Sequence, residues 1–363
     1  MGGQQGPVED LVSAAGFWSG RRVLVTGHTG FKGGWLALWL QHLGARVTGY
    51  ALPAPTDPSF FAVTKIQELI DHVQGDIRDA AAFEACMRQA RPEVVLHLAA
   101  QSLVRRSYDE PVETYTTNVV GTAVVLDAVR RAGGVRAVVV VTSDKCYENR
   151  EWQRGYREDD ALGGHDPYSN SKACTELVTA AFRNSFFPEG TALASARAGN
   201  VIGGGDWAAD RLVPDLVRAA AAGAPAKIRN PKATRPWQHV LEPLGAYLLL
   251  AEKLATEGAP YAEAWNFGPA PEDIVAVERV LERVTARWKA ARWALDARSH
   301  PHEARLLALD CSKAAARLGW RPRLHLDEAV DWTVDWYKGW MEKRDLRRLS
   351  LEQIERFAAL ELA

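Results

Sequence analysis

The chain has little sulfur: four cysteines and three methionines in 363 residues. Cys86, Cys146, Cys174 and Cys311 form no CxxC pair, and no Cys/His group has zinc-ligand spacing. That points away from a disulfide framework and a structural zinc, and toward a reduced, cytoplasmic setting. His300 and His302 flank Pro301, but no further Cys or His gathers beside them, so no metal is expected. Dense Lys/Arg blocks are also missing, and the formal net charge is −1. This argues against a nucleic-acid or membrane footprint. No apolar run reaches the roughly 18 residues of a membrane span. Met1 to Asp10 is polar and lacks the basic and apolar regions of a signal peptide, so residues 1–18 read as a flexible leader. Internal repeats and low-complexity segments are absent as well.

What remains is ordinary globular composition, 47% hydrophobic and 25% charged. The length implies two domains, or one large domain with an appended lobe. Strands are predicted at Arg22–Thr26, Ala45–Tyr50, His72–Gln74, Glu93–Leu98, Ala137–Val141 and Thr191–Ala196. Between them, helices are predicted after Gly33, at Ala80–Ala90, at Val112–Arg131 and at Pro167–Phe186. Such alternation predicts an α/β fold, a Rossmann-type doubly wound parallel sheet, over residues 19–197. Past Arg197 the rhythm breaks. Gly203 to Gly205 and Pro225 to Pro236 read as loops, and helices are predicted at Leu241–Ala255 and Asp273–Trp288. Residues 198–345 therefore read mainly as a smaller C-terminal substrate-binding lobe with a possible return to the sheet, and 346–363 as a helical tail. Trp332, Trp336 and Trp340, at four-residue spacing, read as a packing stripe.

The chemistry-bearing positions fall at strand ends, where ligands of open parallel sheets bind. Gly27, Gly30 and Gly33 turn the chain from the first strand into a helix. Glycine lets backbone approach a pyrophosphate, and the helix N-terminus offers free N–H groups. Asp76 and Ile77 follow the third strand, where a carboxylate suits an adenine amino group. Leu98, Ala99 and Ala100 leave room for a ribose, with Asn118 near them. Tyr50 to Pro53 holds neither an acid for a ribose 2′-hydroxyl nor an arginine for a 2′-phosphate. Tyr168 and Lys172 share one helical face by i,i+4 spacing. A phenol, ordinarily near pKa 10, is eased toward phenolate by an ammonium, so the pair suits proton removal coupled to hydride loss.

This combination resembles the extended short-chain dehydrogenase/reductase superfamily, from about Gly20 to Lys338. Finer motifs resemble its CDP-glucose 4,6-dehydratases: Gly27-His28-Thr29-Gly30-Phe31-Lys32-Gly33, His97 to Gln101, Thr142 to Tyr147, Gly163 to Tyr168, and Ala198 to Trp207. The most specific mark is Asp144-Lys145, where related dehydratases usually carry Asp-Glu. The resemblance implies NAD as cofactor, held by Gly27, Thr29, Gly30, Phe31, Lys32, Gly33, Asp76, Ile77, Leu98, Ala99, Ala100, Asn118, Thr142, Tyr168, Lys172 and Ala198. It implies Ser143, Asp144, Lys145, Tyr168 and Lys172 as catalytic residues. Tyr168 would take the sugar 4-hydroxyl proton, with Ser143 bonded to the same oxygen. Asp144 suits the acid role if kept protonated. Lys145 suits a base if its pKa is depressed, or an enolate stabiliser if it stays charged. For a nucleotide sugar, CDP-glucose above all, the resemblance implies Gln101, Ser143, Asn200, Arg211, Arg235, Asn266 and Arg305. It also implies a homodimer through the helices Val112–Arg131 and Pro167–Phe186. Two other readings remain open: action on another nucleotide sugar, and a silent NAD-binding protein of the same fold.

Overall fold

A computed structural model describes residues 16–187, 190–296, 298 and 306–360. Arg305, His300 and His302 lie outside the described residues, as does most of the predicted leader. Among the described residues a seven-stranded sheet runs in the order β10-β6-β5-β4-β1-β2-β3. Its strands are β1 (Arg22–Thr26), β2 (Arg46–Ala51), β3 (Asp71–Gln74), β4 (Val94–His97), β5 (Ala137–Val141), β6 (Ala192–Ala198) and β10 (Ala264–Phe267). Every pairing in it is parallel. Central strands such as β5, Ala-Val-Val-Val-Val, are buried at all five positions, as helices on both faces require. The strand order reverses between β1 and β4, and this opens a crevice at their carboxyl ends.

Two glycines make the corner above that crevice. Gly27 has φ +77, and a Cβ on it would stand 2.8 Å from the Ala99 backbone. A Cβ on Gly33 would stand 2.2 Å from the Gly27 carbonyl oxygen. The helix Phe31–His42 can therefore start hard against β1, with no side-chain cap and no acid in its first turn.

The predicted helix Val112–Arg131 is three helical segments in sequence, Pro111–Tyr115, Thr116–Val120 and Gly121–Ala132. The middle one is a π turn, and it holds Asn118. Beyond β6 the chain builds two small sheets. One has the order β11-β9-β7, from Ile274–Ala276, Thr234–His239 and Asn200–Ile202; the other pairs β12 (Trp293–Leu295) with β8 (Ala226–Ile228). The expected loop from Pro225 to Pro236 thus contains a strand and the start of another. Three-residue strands are too short to show a periodicity. The predicted helix at Asp273 starts only at Val277, because Ile274–Ala276 pairs with β9. Strand β10 returns the chain to the main sheet beside β6. Trp332 and Trp336 are buried in the helix Leu326–Met341, and Trp336 stacks on Phe60, so the tryptophan stripe is core packing. The helix Leu346–Ala358 closes on the first helix through Trp39 and Phe357.

Candidate active site

The crevice opens into a cavity of about 1200 Å³, walled by strand ends on one side and the C-terminal lobe on the other. A side-chain chain locks the switch point below it. Thr26 Oγ1 accepts from the Leu98 and Ala99 N–H groups at 3.1 Å and so donates to His97 Nδ1 at 2.7 Å. His97 then donates from Nε2 to Thr122 Oγ1 at 3.1 Å, and Thr122 donates to the Asn118 carbonyl. Burial lowers the His97 pKa to about 3, so the imidazole stays neutral, as this assignment of its proton demands.

The proposed cofactor residues Gly27, Thr29, Gly30, Phe31, Lys32 and Gly33 line the cavity, as do Asp76, Ile77, Leu98, Ala99, Ala100, Thr142 and Ala198. The glycine corner leaves a backbone cradle that any side chain would fill, which fits a pyrophosphate over open helix N–H groups. Thr29 donates to the Leu52 carbonyl at 2.9 Å, tying the cradle to the end of β2. Asp76 is less free than the sequence implied. Its carboxylate is hydrogen-bonded to Arg78, which also reaches Glu113 at 2.6 Å. Asn118 does not reach the cavity wall. Its amide is spent on the Gln101 backbone and on Ser171 Oγ, so it positions those two.

Ser143, Asp144, Lys145, Tyr168 and Lys172 come together on the strand-end wall. Ser143 caps a short turn by accepting from the Lys145 N–H at 3.2 Å, and donates to Asp144 Oδ1 at 3.0 Å. Asp144 is buried, its Oδ1 lies 3.9 Å from Lys145 Nζ, and its Oδ2 has no protein partner. Tyr168 and Lys172 ride on the helix Pro167–Phe186. Asp166 caps that helix by accepting from the Ser169 N–H at 2.9 Å.

The direction at Tyr168 reverses the expectation from spacing. Burial pushes the phenol up to about 12, and the hydrogen bond with Ser143 offsets this only in part. Burial likewise brings Lys172 down to about 8, with Glu176 pulling the other way. In a dry site both groups resist charge, and their proximity in sequence does not outweigh that. Lys172 Nζ donates to the Val141 carbonyl at 3.3 Å.

Sequence reasoning missed Glu176, one further turn along the same face. It accepts from Thr142, from Ser195 Oγ at 2.6 Å and from Arg197 at 2.9 Å. Burial raises its pKa, but Arg197 and these donors hold it below the usual carboxylate range. The i,i+4,i+8 spacing of Tyr168, Lys172 and Glu176 was the available signal.

On the opposite wall, Arg211 pairs with Asp206 at 2.9 Å and reaches Ser102 at 3.0 Å. Arg235 and Asn200 also line the cavity, and Asn200 Oδ1 is buried without a protein partner. Gln101 lines it too, its amide held by Leu103 and Thr114. Asn266 is not brought to the site. It is fully buried and saturated by Tyr147, Tyr156 and Asp310, so its role is to join β10 to neighbouring loops. Arg105, on the helix Val104–Asp109, and Asp210 and Arg229, on the lobe, also line the cavity, and motif reading singled out none of them.

The sequence pattern of the GDP-mannose 4,6-dehydratase family matches residues 24–333. A curated CDP-glucose 4,6-dehydratase of Salmonella typhimurium is 53% identical over 345 residues, which is 93% of this chain and 96% of that protein. Among solved structures, MoeE5 in complex with UDP-glucose and NAD superposes with a TM-score of 0.75 at 25% identity, over 88% of this chain and 99% of the other. The DesIV double mutant of Streptomyces venezuelae, a dTDP-glucose 4,6-dehydratase with NAD bound, gives a TM-score of 0.74 at 24% identity, over 90% and 99%.

Proposed function

The chain belongs to the GDP-mannose 4,6-dehydratase family, and from that premise we propose that it is a hydro-lyase converting CDP-glucose to CDP-4-keto-6-deoxyglucose with NAD as cofactor. The observation that carries the reading is the gathering of Ser143, Asp144, Lys145, Tyr168 and Lys172 on one cavity wall beside the glycine cradle. A purely binding protein has no use for that set. The choice of CDP follows the Salmonella relative, and NAD follows the bound cofactor of the structural relatives.

NAD, which Gly27, Gly30 and Gly33 would hold on the backbone cradle, would supply the hydride acceptor for sugar C4 and the donor that returns the hydride at C6. The residues do the rest. Tyr168 and Ser143 line the same wall, where a sugar 4-hydroxyl can meet both. Tyr168 accepts its proton, and Lys172, one turn away, favours the phenolate once it carries its own proton. The ketone formed at C4 acidifies the C5 proton. Lys145, on the cavity surface, removes that proton or stabilises the enolate as an ammonium. Asp144, which lines the same wall and has an unpartnered Oδ2, is the group assigned to protonate the departing 6-hydroxyl. Arg211 and Arg235 face the diphosphate, for which a guanidinium provides bidentate donors.

We further infer a homodimer. Of the eight large exposed apolar side chains among the described residues, four, Val112, Val120, Leu177 and Phe186, lie on the two stretches predicted to pair. The free thiols of Cys86, Cys146, Cys174 and Cys311 suit a reducing cytoplasm. No helix among the described residues is long and apolar enough to cross a membrane.

Incubation of purified protein with NAD and a panel of nucleoside diphosphate glucoses tests the activity. CDP-glucose is expected to give a keto-sugar that absorbs strongly in alkali. A keto-sugar from a different nucleotide only, or from none, would overturn the assignment. Sedimentation at micromolar concentration tests the dimer, and a monomer there would refute it.

A further inference from the structure

Two stretches of chain meet across the cavity, one from each side of the cleft. On the sheet side is the helix Val104–Asp109. It is tied to the strand-end wall before and behind Arg105. The Gln101 side chain donates to the Leu103 carbonyl at 3.0 Å and accepts from the Leu103 N–H at 2.6 Å, and Ser107 Oγ accepts from the Tyr168 N–H at 3.1 Å. On the lobe side is an arm from Asp206 to Arg211, entered through Gly205 at φ +83. Its base is fixed: Trp207 is buried against Trp336, Tyr337 and Trp340, and its carbonyl accepts from Arg218 at 2.6 Å. Its tip carries Asp210, whose φ of +63 is a left-handed geometry that a non-glycine residue adopts at a cost. Across the gap Arg105 donates to Asp210 Oδ1 at 2.8 Å, and beside it Arg211 donates to Ser102 Oγ at 3.0 Å. All four residues line the cavity, yet the Arg105 and Asp210 side chains are each 40% exposed. The pair therefore stands at the mouth, between cavity and solvent.

We propose that the Arg105–Asp210 pair is a latch across this mouth, two positioning residues that slow the exit of the nucleotide sugar. This rests on the reading of the cavity as the site of a nucleotide-sugar dehydratase. Such a reaction makes a demand that a single-step one does not. The hydride taken from C4 must return at C6 of the same molecule, so the sugar has to stay through the elimination between. A buried pair would hold the cleft shut, because opening it would leave a desolvated charge alone. An exposed pair is solvated whether open or closed, so its attraction is modest and it opens and recloses readily. Both supports are fixed, so closure orders two side chains and no backbone. Arg229, 3.1 Å from the same carboxylate oxygen and on the lobe side, still partners Asp210 when Arg105 swings away.

Holoenzyme loaded with a ribose-labelled fluorescent CDP and chased with excess CDP in a stopped-flow gives the test. Arg105→Gln and Asp210→Asn each remove one charge at an exposed position, so melting temperatures should stay within about two degrees of native. Each variant is expected to release the probe about two- to fivefold faster, the scale of one exposed ion pair. The double variant is expected to release it no faster than the single ones, because the second substitution finds the latch already open. An Arg105→Gln effect of the same size in the Asp210→Asn background would overturn the proposal and make Arg105 a direct contact of the nucleotide. Slower release from Asp210→Asn would also overturn it, showing a carboxylate that competes with the diphosphate for Arg105. Native release rates in both single variants would leave the pair without a role in retention. Native holoenzyme that holds no CDP would instead bring down the proposed substrate on which the latch rests.

Discussion

The two walls of the cleft hold their charges in opposite ways. On the strand-end wall the Glu176–Arg197 pair is buried, with 3% exposure on each side, and further hydrogen bonds from Thr142 and Ser195 saturate the carboxylate. Tyr168 and Lys172 stand on the same helix as Glu176, so this pair fixes their height above the sheet. On the lobe wall Asp210 is reached by Arg229 at 3.1 Å and, from the helix Val104–Asp109 across the cleft, by Arg105 at 2.8 Å. The Asp210 side chain is 40% exposed, and its backbone has φ +63. Surface pairs of this kind are weak, about 0–1 kcal/mol, and are readily exchanged for another anion. A buried pair is not exchangeable, since losing one partner costs about 3–5 kcal/mol. That difference suits the proposed roles, orientation and proton transfer on the strand-end wall and capture of the diphosphate on the lobe wall.

Variants on each wall should therefore fail in different ways. Tyr168→Phe is expected to have the largest effect, a loss of turnover of about a thousandfold or more. No reduced cofactor should appear in stopped-flow absorbance, because the first hydride transfer lacks its base. Reduced cofactor in this variant would show that another group takes the 4-hydroxyl proton. Lys145→Ala should slow turnover about a hundredfold, with nucleotide-sugar binding nearly intact. Reduced cofactor should then build up transiently, since C4 oxidation survives and elimination does not. Native-like turnover would remove Lys145 from the catalytic set and reduce Asp144-Lys145 to a strand-end turn.

Arg235→Ala tests the other wall. It is expected to raise KM about tenfold, as for one lost charge-assisted contact, and to leave kcat within about twofold. A fall in kcat with KM unchanged would break the division between the walls. The smallest effect concerns stability. Lys172 drops from 10.5 to about 8 on folding. Between those values the unfolded chain binds a proton that the folded chain refuses, so stability falls as pH falls through this window and is level below it. Lys172→Met should accordingly melt a few degrees higher than the native enzyme without ligand. Its advantage should grow as pH drops from about 10.5 to about 8 and hold constant below. An advantage that shrank toward pH 8 would reverse the sign of this argument.

The strand-end wall was the legible one. Its signals are local: short, mostly apolar strands such as β1 and β5, a glycine turn and a helix bearing Tyr168 and Lys172. Six of the sheet's seven strands and their ends follow from them, β10 being the exception, and so does the cluster from Ser143 to Lys172. The lobe wall is assembled from pieces far apart in sequence, and its strands β7, β8, β11 and β12 have only three residues each. No window of the sequence carries a period for them, so Pro225 to Pro236 read as a loop. Asn118 and Asn266 show a second limit. Both fall in the right neighbourhood, but their amides are consumed by backbone and side chains behind the wall. The direction of a side chain depends on the π turn at Thr116–Val120 and on the return of β10, neither of which leaves a compositional trace. The opposite error occurred at Tyr168, where spacing suggested a lowered pKa and burial decided otherwise.

The most direct measurement follows the hydrogen itself. CDP-glucose carrying deuterium at C4 would be incubated with the enzyme and NAD, and the product analysed by mass spectrometry and NMR. One strand-end wall that oxidises C4, eliminates water across C5 and C6 and keeps the hydride within the site requires deuterium at C6 of a 4-keto-6-deoxy product, with no net NADH. Deuterium returned to C4, deuterium released in free NADH, or a product that keeps its 6-hydroxyl would contradict the account.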